Sequence, residues 1–134
     1  MITVKQKYFH IPGKQNGDCW RAAIASVIEC DIDDLPVPLI EKSWSEYSFE
    51  MDQKLASMGW QNIQYSVRAI RENILKSPDT DGYILALGLS PRFTGEKGER
   101  INHYIVWKDG MVHDPHPENK GIMDIIAFEI LRKL

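Results

Sequence analysis

Gly17-Asp18-Cys19-Trp20-Arg21-Ala22-Ala23-Ile24-Ala25-Ser26-Val27-Ile28-Glu29 is the stretch whose reading decides the fold of this 134-residue chain. It reads as a loop that delivers Cys19 to the first turn of an apolar helix over residues 19–29. Gly17 permits a tight turn and Asp18 is the expected N-cap. Ala22, Ala23, Ile24, Ala25, Val27 and Ile28 make the helix small and apolar on nearly every face, so it is expected inside the domain. A helix N-terminus carries partial positive charge and free N–H groups, and both favour a thiolate. A free cysteine is also a common small core residue. The nucleophile reading therefore needs a histidine from elsewhere in the chain.

The second cysteine, Cys30, lies at the far end of the same helix. Eleven helical steps separate the two, about 16 Å at the α-helical rise, whereas a disulfide needs Cα atoms within about 7 Å. Two free thiols follow, with Cys30 expected to be inert core, and a reducing compartment suits them.

Outward from this helix, Ile2 to Lys5 has the composition of a short strand, and Pro12, Gly13 and Gly17 mark loop. Pro36 and Pro38 forbid continuation of the first helix. Trp44, Tyr47, Met51, Leu55 and Met58 recur at helical spacing within residues 41–58, with Gly59 as C-cap. Ile63, Tyr65 and Val67 alternate as in a strand. A short helix is expected over 69–76. Residues 82–89 form a continuous apolar run, as in a central strand. Residues 90–101 are a polar loop. The apolar positions of 122–134 fit neither period, and a turn followed by a strand over 127–131 is the expectation.

The base comes from a hairpin. His103, Ile105 and Trp107 share one strand face, and Asp109-Gly110 is a two-residue turn signal. That turn pairs Lys108 with Met111, Trp107 with Val112, Val106 with His113 and Ile105 with Asp114. Asp114 then lies on the face of His103, one diagonal step away. A carboxylate on one imidazole nitrogen fixes the tautomer and leaves the other nitrogen to take a proton from a thiol. Cys19, His103 and Asp114 thus fit nucleophile, base and orienting acid. A three-residue turn would instead bring His113 to the face of His103. Histidine at a strand end and aspartate before Pro115 also have ordinary structural uses.

An oxyanion needs hydrogen-bond donors. The Cys19 backbone N–H is one candidate and the Gln15 side-chain amide another, ahead of Asn16 and His10. Trp20 and Trp107 are candidate walls of a cleft, or core. The loop before His103 carries Arg92, Lys97 and Arg100, as a substrate contact or as a solvated connection. His103, His113, His116 and Asp114 do not have the paired spacing of a metal site. No metal and no cofactor are expected.

With 43% hydrophobic and 26% charged residues, the composition is that of one ordinary globular domain, residues 1–134. A net charge of −3 gives no basic face for nucleic acid. No apolar run reaches the length of a membrane span, and residues 1–14 lack the apolar core of a signal peptide. A cytoplasmic protein with no nucleic-acid or membrane partner is expected, its oligomeric state unread.

Gly17-Asp18-Cys19-Trp20 resembles the Gly-Ser-Cys-Trp stretch of papain-like cysteine peptidases. His103-Tyr104-Ile105-Val106-Trp107, then Asp114-Pro115, resembles the His-strand and Asp-Pro pattern of the bacteriocin-leader-processing branch of that superfamily. The resemblance spans roughly residues 15–117 in the order Cys, His, Asp. It implies a papain-like α+β fold, a buried Cys helix on an antiparallel sheet carrying His and Asp. It also implies a thiol protease acting on a peptide or protein substrate through a thioester acyl-enzyme. Cys19 would be the nucleophile, His103 the base and Asp114 the orienting acid. Gln15 stands closer to Cys19 than the family's oxyanion glutamine does. The chain carries no transporter domain, so a small stand-alone bacterial or phage member is implied. A transglutaminase-like acyltransferase with the same triad, or a non-catalytic binding protein on this scaffold, is the alternative.

Overall fold

Eight of the ten residues of helix α1 (Cys19–Ile28) are buried, in a computed structural model that describes residues 1–93 and 95–134. The chain continues as α2 (Trp44–Ser57), β1 (Trp60–Ser66), α3 (Val67–Arg71), β2 (Ile84–Leu89), β3 (Asn102–Trp107), β4 (Met111–His113) and β5 (Met123–Lys133). The strands form one antiparallel sheet in the order β1-β5-β2-β3-β4. The architecture is α+β. Among the described residues no helix is long and apolar enough to cross a membrane.

Helix α1 lies against one face of the sheet. Ile24 and Val27 pack with Leu85, Leu87, Tyr104, Val106 and Leu131, and α2 adds Tyr47, Met51 and Leu55. Each fully buried aliphatic or aromatic side chain is worth about 1.5–3 kcal/mol against exposure, so α1 is held by packing. Helix α2 begins with a reciprocal cap: Ser43 Oγ accepts from the Glu46 N–H and donates to its carboxylate, both at 3.1 Å. The opposite sheet face carries a smaller core of Ile84, Ala86, Ile105, Phe128 and Ile130. Strand β2 contributes to both, in keeping with its unbroken apolar run.

Asp18 does not cap α1 with its side chain. Its Oδ1 accepts from the Lys7 and Tyr8 N–H groups, both at 2.9 Å, and its Oδ2 accepts from Arg21 at 3.2 Å. Arg21 is buried within the helix face and donates to the Leu35 carbonyl as well. Asp18 therefore ties the N-terminal segment to α1, and its charge is matched inside the protein.

Four expectations are corrected. Residues 2–5 form no strand; Ile2 and Val4 donate to the Ser26 carbonyl and hydroxyl at 2.9 and 3.0 Å, lacing the segment onto α1. Strand β1 begins at Trp60. Helix α3 spans Val67–Arg71 instead of 69–76, because the chain turns at Asn73, whose φ is 56°. Strand β5 is a single strand from Met123, with register shifts against Leu87, Gly88 and Leu89. Two β5 residues pass for each β2 residue there: Ala127, Ile125 and Met123 face Leu87, Gly88 and Leu89. Such bulges break the two-residue alternation, which is why the sequence pattern fits no single period.

Candidate active site

The Cys19 thiol, at the N-terminus of α1, shares a cleft with the imidazole of His103 and is near enough to help raise that ring's pKa. His103 is the second residue of β3 and is buried. Its Nε2 donates to Asp114 Oδ1 at 2.7 Å. With Nε2 committed to the carboxylate, Nδ1 is the nitrogen left for the thiol. Asp114, fully buried, accepts two further bonds, from the His116 N–H at 2.9 Å and the Gly121 N–H at 2.8 Å. All its partners are donors, the environment that suits an ionised carboxylate.

The hairpin reaches this arrangement by a different route from the expected one. The connection is three residues, Lys108 to Gly110, with Asp109 at φ 55° and Gly110 at φ 129°. Trp107 faces Met111 where Val112 was expected, and Val106 still faces His113. The longer loop and a bulge beside Val112 offset one another, so Asp114 returns to His103. His113 is buried elsewhere: its Nε2 donates to the Val4 carbonyl at 2.7 Å.

Burial pulls the His103 pKa down, but the hydrogen bonds and charges of Asp114 and Cys19 outweigh it and push it up to about 9. Burial raises the Asp114 carboxyl, yet His103 and the two backbone N–H groups hold it below the ordinary carboxylate value. Both shifts favour the charged pair.

Cys19 and His103 open onto a cleft of about 730 Å³ that also meets Gln6, Trp20, Trp44 and His116. The His116 ring lies 6.3 Å from that of His103 and 5.1 Å from Phe9. Burial, then Arg92, holds His116 below the ordinary histidine value. From the polar loop only Arg92 among its three cations lines the cleft, and it pairs with Glu118 at 3.7 Å. Thr94 of that loop lies outside the described residues.

Two candidate residues fall elsewhere. Gln15 is not in the cleft: its amide donates to the Phe9 carbonyl at 2.8 Å, where Ile11 and Gln15 bridge a small hairpin. Trp107 lies on the opposite sheet face, its ring 5.7 Å from Phe128. Asn16 and His10 line the cleft, and Asn16 donates to the Pro38 carbonyl at 3.2 Å. The residue that the sequence concealed is Gln6. It is 9% exposed, lines the cleft, and donates from Nε2 to the Tyr8 carbonyl at 2.8 Å. Its backbone N–H is held by the Pro115 carbonyl at 3.0 Å, beside Asp114. The hairpin of residues 9–16 loops out between Gln6 and Gly17, so sequence distance hides their proximity; a Cβ on Gly17 would lie 3.6 Å from Gln6 Nε2.

Compared with protein-family models, with curated proteins and with solved structures, the chain matches none.

Proposed function

We propose that this protein is a papain-like cysteine hydrolase that cleaves a peptide or isopeptide bond through a thioester on Cys19. One observation supports it above the others: Asp114 takes Nε2 of His103 and leaves Nδ1 free, and a cysteine at a helix N-terminus lines the same open cleft. That is the nucleophile, base and orienter geometry of acyl transfer.

The chemistry follows from those positions. At neutral pH His103 is cationic, its Nδ1 already holding the proton given up by the thiol, and Cys19 Sγ bonds to the carbonyl carbon as the thiolate. The oxyanion meets the Cys19 backbone N–H, which as the first of α1 has no partner within the helix. It also meets the second N–H of the Gln6 amide, whose first is spent on Tyr8. The C–N bond breaks as His103 returns the proton to the leaving amine, giving the thioester. Water, deprotonated by His103, then releases the acid and the thiol. Asp114 holds the imidazole in register and stabilises its cationic form throughout.

Incubation with a peptide library tests this. Products cut at one bond type are expected, with an acyl adduct on Cys19 in the intact-mass spectrum and none from Cys19→Ala. Full biological effect in Cys19→Ala would identify a binding protein instead. Formation of amides from added amines in preference to acids would identify a transferase.

A further inference from the structure

The cleft extends past the thiol to a buried carboxylate that this chemistry does not use. Glu129, on β5, is 3% exposed and lines the cleft. Its Oε1 accepts from Trp20 Nε1 at 2.9 Å and from the Asn62 amide, and its Oε2 accepts from the Tyr104 hydroxyl at 2.6 Å. All three partners donate, the arrangement an ionised carboxylate takes. All three are neutral, so the charge is solvated but not compensated. Burying an unpaired charge is costly. Among the described residues no cationic side chain pairs with Glu129; of the Lys and Arg side chains lining the cleft, Lys42 pairs with Glu50 and Arg92 lies 3.7 Å from Glu118.

Asn62 adds a second acceptor. Its amide nitrogen must face Glu129, which leaves Oδ1 buried without a partner. Aromatic rings wall the same end. Trp20 lies 5.0 Å from Trp44, 5.7 Å from Tyr47 and 6.0 Å from Tyr104, and Trp44 is 57% exposed. Asp52 on α2 adds another carboxylate to the lining of the cleft. A buried anion, an unsatisfied acceptor and ring faces together suit an N–H-bearing cation on an apolar stem.

We propose that the Glu129 end of the cleft is a specificity pocket for the cationic side chain, lysine or arginine in type, of a peptide substrate. The cation would meet Glu129 Oε2 and Asn62 Oδ1, its methylenes lying along Trp20 and Trp44. This rests on the hydrolase reading for the word substrate, but the pocket can be tested without turnover.

The test is titration of the intact protein with N-acetyl-lysine amide, N-acetyl-arginine amide and N-acetyl-norleucine amide, read by tryptophan fluorescence. At least one cationic ligand is expected to bind at least tenfold more tightly than norleucine, and the preferred cation identifies the side chain. Glu129→Gln, which keeps the shape, is expected to remove that preference while leaving norleucine binding within about twofold. Equal binding of all three, no saturable binding, or a preference that survives in folded Glu129→Gln overturns the proposal. The comparison on the unsubstituted protein decides by itself should the variant not fold. Iodoacetamide labelling of the same samples separates the two claims: cation preference with an unreactive Cys19 overturns the hydrolase reading alone, and a reactive Cys19 without preference overturns the pocket alone.

Discussion

Asp114 Oδ1 lies 2.7 Å from His103 Nε2, and both groups are buried, Asp114 completely and His103 with 4% of its surface exposed. A carboxylate with three donors and an imidazole whose pKa is pushed up to about 9 form a pair that is charged at neutral pH. Their ionisation is linked to folding.

His103 binds its proton more tightly folded than unfolded, so its stabilisation is full below the ordinary histidine value of 6.5 and is lost as pH rises through about 9. Asp114 is held below its ordinary value of 3.8, so its stabilisation is present above that pH and is lost as pH falls below it. The pair therefore stabilises most between about pH 4 and 6.5. Asp114→Asn forces an amide N–H against a donor, His103, His116 or Gly121. A loss of about 2–4 kcal/mol at pH 6 is expected, shrinking toward pH 9.5, as read by denaturant unfolding at each pH. A loss independent of pH would place the stabilisation outside this ion pair.

Gln6→Ala removes an amide proposed to meet the oxyanion and not the thiol. Turnover is expected to fall about 100-fold, the usual effect of losing one such donor, with iodoacetamide labelling of Cys19 unchanged within about twofold. Equal loss of both would mean that the Gln6 side chain only holds the site's shape through its bond to the Tyr8 carbonyl.

Asp18→Ala leaves the buried Arg21 only the exposed Asp33 carboxylate, at 3.6 Å, and frees the Lys7 and Tyr8 N–H groups. Removal of one partner of a buried pair costs about 3–5 kcal/mol, and urea unfolding should show a loss of that size. A cost of about 1 kcal/mol would be that of a simple helix cap.

Gly88→Ala tests the bulged pairing of β5 on β2. The added Cβ would come within 2.8 Å of Ile122 and 2.9 Å of the Met123 carbonyl oxygen. Backbone stands in the way, so a loss of about 1–3 kcal/mol is expected in thermal unfolding. A neutral substitution would mean that β5 shifts freely there.

What the sequence made legible was local. Helix α1 follows from its unbroken run of small apolar residues and helix α2 from its spacing and its Ser43 cap, and the Asp-Pro step put a carboxylate within reach of the base. What it concealed depends on chain excursions and compensating irregularities. Gln6 reaches the cleft only because residues 9–16 fold out of the way. Asp114 meets His103 because a three-residue loop and a bulge offset one another. Glu129 sits in a strand whose bulges scramble its period, and its partners Trp20, Asn62 and Tyr104 come from three other elements. Asp18 looked like a cap, because Asp before a helix commonly is one; its actual bonds, to Lys7, Tyr8 and Arg21, are tertiary.

The central claim is that His103 activates Cys19, and competitive alkylation tests it most directly. Both cysteines are partly buried, and burial, with Asp34 and Asp31 nearby, raises the Cys30 pKa, so Cys30 is an internal reference for an unactivated thiol. With limiting iodoacetamide at pH 7, peptide mass spectrometry should find Cys19 modified at least tenfold faster than Cys30, and His103→Ala should remove most of that advantage. Labelling of Cys19 no faster than Cys30, or an advantage untouched by His103→Ala, would contradict the account.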